Sequence, residues 1–154
     1  MSDAPDYKHN VPGVTPHLVV DSARKAIDFY VRAFGASIVM ELPAEDGQRL
    51  MHAQLLVNGG PLMLCDDFPE WRGGAKAVIG TPHALTLHMA VPDIDAFYAQ
   101  AVAEGAEPVM PPMDMFWGDR YGQVKDPFGH LWALSTPSKP GAVVDPGCAE
   151  PAGA

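Results

Sequence analysis

Three histidines, His17, His52 and His88, stand in segments whose composition reads as β-strand. Imidazole nitrogen binds zinc and iron readily, so three such rings converging on one point could hold either ion. Metal-bound histidines usually lean on a carboxylate behind them, and no Asp or Glu is fixed nearby in sequence. The competing reading makes the three rings hydrogen-bonded groups that line a pocket or an interface. Gln54 lies two residues on from His52 and shares its strand face, where it could bond a ligand or be satisfied by backbone. Met63 and Cys65 share a face in the same way and suit a soft apolar wall. Nothing beside Cys65 activates a thiolate.

A second constellation is the phrase MFWGDRYGQV, residues 115–124. Read as a strand, it sets Trp117, Asp119, Tyr121 and Gln123 on one face and Gly118, Arg120 and Gly122 on the other. Flat rings with an acid or a guanidinium to orient a ligand are a common pocket design. The plainer alternative packs Trp117 in the core and lets Asp119 and Arg120 reach neighbouring loops. His88 with Asp119 is a candidate acid/base pair that needs no metal. Glu45-Asp46 and Asp66-Asp67 read as solvated turn charges, because neighbouring strand residues point to opposite faces. His9, His83 and His130 receive no role, and neither a Gly-rich phosphate loop nor a GxSxG elbow is present.

The elements that must carry these residues come as one pattern written twice. VTPHLVVDSARKAIDFYVRAFGA and ALTLHMAVPDIDAFYAQAVAEGA each give a short apolar strand, a capping residue, a helix and Gly-Ala. Thr15 and Thr86 are 71 residues apart and Gly35 and Gly105 are 70 apart, an offset that points to a duplicated unit. In the first helix Asp21 or Ser22 caps, Ala26, Ile27, Tyr30, Ala33 and Phe34 form the buried stripe, and Gly35 stops it. In the second, Asp93 caps, Ile94, Phe97, Tyr98, Ala101 and Val102 form the stripe, and Gly105 stops it. Three strands follow each helix, with Asn58-Gly59-Gly60 and Asp126-Pro127-Phe128-Gly129 as turns. The expected fold is α+β: two βαβββ repeats, 14–67 and 83–136, joined by a loop at 68–82. Residues 1–13 read as a flexible lead-in and 137–154 as a flexible Pro/Gly/Ala-rich tail. One face of each sheet takes its helix, and the other needs a partner or encloses a cavity.

The chain has 154 residues, 10 basic and 19 acidic side chains, and a net charge of −9. That acidity, with no Lys/Arg cluster against it, argues against nucleic acid and anionic membrane as partners. No apolar run is long enough to span a bilayer, and MSDAPDYKHN has no apolar signal core, so a cytoplasmic protein is expected. Cys65 and Cys148 stand in unlike settings and form no disulfide framework.

The phrases TPHLVV, AIDFYVRAFGA, MHAQLLVNGGPLML and DMFWGDRYGQVKDPFGHLWALST span most of residues 14–136. Together they resemble the vicinal oxygen chelate superfamily of glyoxalases, bleomycin-resistance proteins and extradiol dioxygenases, and within it the PhnB-like branch. The resemblance implies curved mixed sheets around a cavity lined by both repeats, and a homodimer. It also implies a cavity-facing role for the phrase around Trp117, Asp119, Arg120 and Tyr121. In that superfamily a metal takes one ligand from the first and the fourth strand of each repeat. Those positions fall here on Thr15, Met63, Thr86 and Ala133. Neutral hydroxyls, a thioether and a methyl group are poor donors for a hard divalent ion. The resemblance therefore implies a protein that binds a small molecule and has no cofactor, with Thr15, His17, His52, Gln54, Met63, Cys65, Thr86, His88, Trp117, Asp119, Arg120, Tyr121 and Ala133 as its ligand-binding candidates. The alternative is a lyase, isomerase or dioxygenase holding zinc, iron, manganese or nickel on His17, His52 and His88. A third reading is a stability or interaction role with no ligand.

Overall fold

The computed structural model of the chain describes residues 13–77 and 85–144. His9, His83, Cys148, the lead-in before residue 13 and the tail beyond residue 144 lie outside the described residues. The chain divides into two compact units between Thr81 and Pro82. Each is a βαβββ repeat, and the architecture is α+β as the sequence predicts.

The first unit runs β1 (His17–Val20), α1 (Ala23–Phe34), β2 (Ser37–Pro43), β3 (Leu50–Val57) and β4 (Gly60–Asp66), followed by a 3-10 turn at Pro69–Arg72. Its sheet has the order β1-β4-β3-β2, with β1 parallel to β4 and the other pairs antiparallel. α1 carries a broad apolar face, including Ala26, Ile27, Tyr30, Ala33 and Phe34, all buried. Leu18, Val20, Ala53, Leu55, Leu62 and Leu64 alternate inward from the strands to complete this core. Gly35 takes the left-handed conformation at φ 65°, and its N–H returns to the Tyr30 carbonyl, which ends α1. Asn58 and Gly59, at φ 49° and 79°, make the β3–β4 hairpin. Positive φ at both central residues is what the Asn-Gly pair is chosen for.

The second unit runs β5 (Thr86–Ala90), α2 (Ile94–Ala103), β6 (Glu107–Asp114), β7 (Asp119–Lys125) and β8 (Leu131–Pro137). The sheet order is β5-β8-β7-β6, again with the first and last strands parallel. Asp93 caps α2 by accepting the Ala96 N–H at 3.1 Å. The α2 stripe is thinner than the spacing predicts: Ile94 and Ala101 are buried, while Phe97, Tyr98 and Val102 are half-buried. β6 tolerates Pro108, Pro111 and Pro112 because it is an edge strand, where a missing N–H breaks no second ladder. Its register shifts twice along β7. At the bulge the backbone passes so close to Gly122 that a Cβ there would sit 3.0 Å from the Met110 carbonyl oxygen.

Four local expectations are corrected. β1 begins at His17, so Thr15 precedes the strand rather than lying on it. Trp117 and Gly118 belong to the turn before β7, because the Gly118 N–H bonds the Met115 carbonyl at 3.1 Å and closes a turn there. Asp66 is not a solvated turn charge but a buried acceptor, 6% exposed, for the Ala23 and Leu50 N–H groups. Ser22 occupies the α1 N-cap yet makes no side-chain cap bond, and the first N–H of the helix, that of Ala23, bonds Asp66 at the end of β4. No helix among the described residues is long and apolar enough to cross a membrane.

Candidate functional site

Strand alternation gives each sheet one face toward its helix and one away from it. The candidate histidines sit on the helix-free faces, and the ladders set their neighbours. Across the first sheet, His17 pairs with Met63, Met63 with Gln54 and Gln54 with Met40. Across the second, His88 pairs with Ala133, Ala133 with Gln123 and Gln123 with Met110. The two repeats thus carry the same row, His-x-Gln-Met, with a Met in one and an Ala in the other at the second place. One step along, Val19 pairs with Cys65 and Leu42 with His52 in the first sheet; Ala90 and Tyr121 both pair with Ser135 in the second. Ser135 holds the place that Cys65 holds 70 residues earlier.

In the first unit the rings of His17 and His52 meet edge to face, with centroids 5.5 Å apart. Gln54 is 1% exposed, so an amide with several hydrogen-bonding sites is fixed at the middle of this face. Desolvation, and then the neighbouring His52, hold the His17 imidazole below its ordinary pKa. The folded state therefore takes up this proton less readily than the unfolded chain. Nothing is lost where the ring is neutral in both states, and stability falls as pH drops below the unfolded value of about 6.5. Melting curves of the wild type and of His17→Gln should run parallel above that pH. Below it the wild type should lose stability the faster; parallel curves down to pH 5 would show that the ring is not desolvated.

In the second unit a polar-aromatic group forms. His88 Nε2 lies 3.1 Å from the Ser135 hydroxyl, and the Gln123 amide donates to the Tyr121 hydroxyl at 2.8 Å. The His88 and Tyr121 rings are nearly parallel at 6.3 Å, and Trp117 stands edge-on to Tyr121 at 5.7 Å. Phe116 in turn packs edge-on to Trp117 at 5.0 Å, and both are about half exposed. An open ladder of rings with several hydrogen-bonding atoms at its base can orient a flat organic molecule. Ser135 and Phe116 belong to this group although neither is among the candidates that the sequence pattern singles out. Ser135 was within reach of it, since it lies two residues beyond Ala133 and so shares its strand face.

The other candidates are placed as follows. Asp119 opens β7 on the Tyr121 face and is half-buried. Arg120 points the other way: Nε and Nη2 form a two-pronged pair with Asp95 of α2, both at 2.8 Å, and Nη1 reaches Asp114 at 3.0 Å. It borders a cleft of about 600 Å3 beside the start of α2, with its guanidinium committed to those two acids. Arg120 in turn holds the Asp95 carboxyl below its ordinary range. Ser138 closes the same network by donating to Asp114 at 2.7 Å.

The metal that members of the superfamily hold does not fit the residues at its four positions here. Ala133 offers a methyl group, 1% exposed, and Met63 a thioether. Thr15 lies ahead of β1 with a buried hydroxyl that has no hydrogen-bond partner among the described residues, and Thr86 is exposed at the start of β5. Of the alternative trio, His17 and His52 are adjacent in the first unit and His88 belongs to the second. Among the described residues no three His, Cys, Asp or Glu side chains are grouped to hold a metal.

Comparison with known proteins agrees with this layout. A family model for the Glyoxalase/Bleomycin resistance protein/Dioxygenase superfamily matches residues 11–134. An uncharacterized protein of Mycobacterium bovis is 48% identical over 130 residues, covering 82% of this chain and 84% of that one. Among solved structures, TioX from Micromonospora sp. ML1 is 28% identical with a TM-score of 0.63, covering 82% of this chain and 99% of TioX. A PhnB protein from Bacillus cereus is 20% identical with a TM-score of 0.65, covering 81% of this chain and 99% of that one, which is a likeness of fold.

Proposed function

Because the chain belongs to the glyoxalase/bleomycin resistance protein/dioxygenase superfamily, we propose that it binds a small organic molecule on the helix-free face of its second sheet, without the superfamily's usual metal. The observation that carries this reading is the group His88, Ser135, Tyr121 and Gln123 with Trp117 beside it. Aromatic contacts of this kind are worth about 0.5–1.5 kcal/mol each beyond area burial. The hydroxyls, amide and imidazole would fix the orientation of the bound ring. Sequestering an aromatic or drug-like compound, as in bleomycin resistance, is the concrete form of the proposal. The enzymatic alternative, a lyase, isomerase or dioxygenase, would need a metal on His17 and His52 with further donors, and the adjacency of those two rings is what favours it.

Two measurements decide between them. A thermal-shift screen of aromatic compounds should raise the melting temperature, since a ligand that binds only the folded state stabilises it. Tyr121→Ala should cut the affinity of any hit about tenfold, through lost stacking and the orphaned Gln123 amide. Metal analysis of untagged protein after incubation with zinc, iron, manganese or nickel should find no stoichiometric ion. Stoichiometric metal that disappears in His17→Ala would replace this proposal with the enzymatic one.

A further inference from the structure

A cleft of about 460 Å3 opens in the first unit between the β2–β3 loop and the 3-10 turn, and it shares no residue with the site described above. Its wall is an aromatic stack. Phe68 and Trp71 lie parallel within 10°, with ring centroids 4.4 Å apart. Phe68 is 6% exposed and anchors the stack, whereas Trp71 is 63% exposed. The Trp71 N–H bonds the Phe68 carbonyl at 3.0 Å, so the turn itself sets the ring in place. The Arg49 guanidinium carbon lies 4.2 Å from the centre of the Phe68 ring. Arg49 is pinned in turn by Asp46 at 2.6 Å and Glu70 at 2.7 Å.

The charge around this platform has a negative excess. Among the described residues that line the cleft, Glu45, Asp46 and Glu70 stand against one guanidinium, Arg49, three carboxylates and one cation, a net of −2. The hydrogen bond from the Arg49 side chain is the main cause that holds the Asp46 carboxyl down to about 2, and the same guanidinium lowers Glu70. Asp46 and Glu70 therefore stay ionised to lower pH than ordinary carboxylates. An exposed indole attracts a cation electrostatically over its face. A ring already locked by stacking costs little further side-chain entropy when a ligand arrives. The volume also falls in the range of small-ligand sites.

We propose that this cleft binds a small organic cation, an aromatic or alkyl ammonium, with the charge over Trp71 and facing Glu45. The proposal stands independently of the site around Tyr121. Trp117 and Trp71 separate the two, because each site has one tryptophan that is about half exposed or more.

The test is a tryptophan-fluorescence titration of the full chain with benzyltrimethylammonium, with benzyl alcohol as the uncharged comparison and benzenesulfonate as the anionic one. The cation should give a saturable change and bind about tenfold more tightly than the alcohol, and the sulfonate should give none. Trp71→Leu should abolish the saturable change, while Trp117→Leu keeps it. Glu45→Gln should weaken the cation about threefold, as expected for one partly exposed charge, and 0.5 M salt should weaken it further. Equal binding of cation and alcohol would overturn the proposal. So would a response that survives Trp71→Leu, or no saturable response to the cation. A response lost in Trp117→Leu and kept in Trp71→Leu would assign the cation to the other site.

Discussion

Replacing Asp126 by alanine should destabilise the protein by about 4 kcal/mol, more than the loss of any other buried acceptor in the fold described above. The carboxylate is 2% exposed, and three donors converge on it. The Phe128 and His130 N–H groups each reach Oδ1 at 2.9 Å, and the Trp132 indole N–H reaches Oδ2 at 2.8 Å. The Gly129 N–H also returns to the Asp126 carbonyl at 3.1 Å, so the DPFG turn is built around this residue. Hydrogen bonds to a charged acceptor are worth about 1.5–3 kcal/mol each, and donors left buried without partners keep their desolvation cost. Partial relaxation and entering water bring the simple sum down to about 4. Asp126→Asn keeps an acceptor for the two backbone groups but turns an amide N–H toward the indole, so about half the loss is expected. Urea denaturation at constant m-value measures both. A loss under about 1 kcal/mol for the alanine variant would mean that the turn is held by its neighbours rather than by this carboxylate.

The same residue marks the boundary of what the sequence makes legible. The phrase around Asp126 announces a turn, and Asn58-Gly59 announces a hairpin, because both depend on backbone conformations local to a few residues. The duplicated strand-helix pattern announces two sheets for the same reason. What escapes is whatever the ladders and long contacts decide. Asp66 looks like half of an exposed acidic pair until its bond to Ala23, 43 residues away, is seen. Arg120 looks available to a ligand until Asp95, 25 residues away, closes on it. The site is legible by halves. Spacing of two residues puts His52 with Gln54 and Tyr121 with Gln123 on common faces. Only the register brings His17 to the row of Gln54 and His88 to that of Gln123. A one-residue slip would have turned the same side chains to the helix. The boundary of β1 goes the other way: the repeat pattern puts Thr15 on the strand, but Pro16 follows it, a residue without the N–H that a ladder needs, and β1 begins at His17.

Asp66→Ala is the second large effect, about 3 kcal/mol, and its physics differs from that of a turn. One oxygen accepts the Ala23 N–H at 2.9 Å and the other the Leu50 N–H at 2.7 Å. Ala23 and Leu50 are both 0% exposed, so neither donor has water to fall back on. Ala23 is the first residue of α1, and an anion there also meets the positive end of the helix dipole. The carboxylate at the end of β4 thus ties the start of the helix to the start of β3, and the acidic cap lies far from the helix in sequence. A local cap can replace only half of that. Ser22 stands at the N-cap with φ −154° and ψ 99°, a backbone suited to a capping side chain. Ser22→Asp in the Asp66→Ala background should therefore restore about 1 kcal/mol by capping the second or third N–H of the helix and placing an anion at its positive end. It should leave the Ala23 and Leu50 N–H groups without the acceptor they lost and the rest of the loss in place. Hydrogen exchange separates the two shares, with the first turn of α1 protected again in the double variant and the start of β3 not. If the single variant stayed within about 1 kcal/mol of the wild type, or the double variant recovered fully, the bond to Leu50 would be structurally idle.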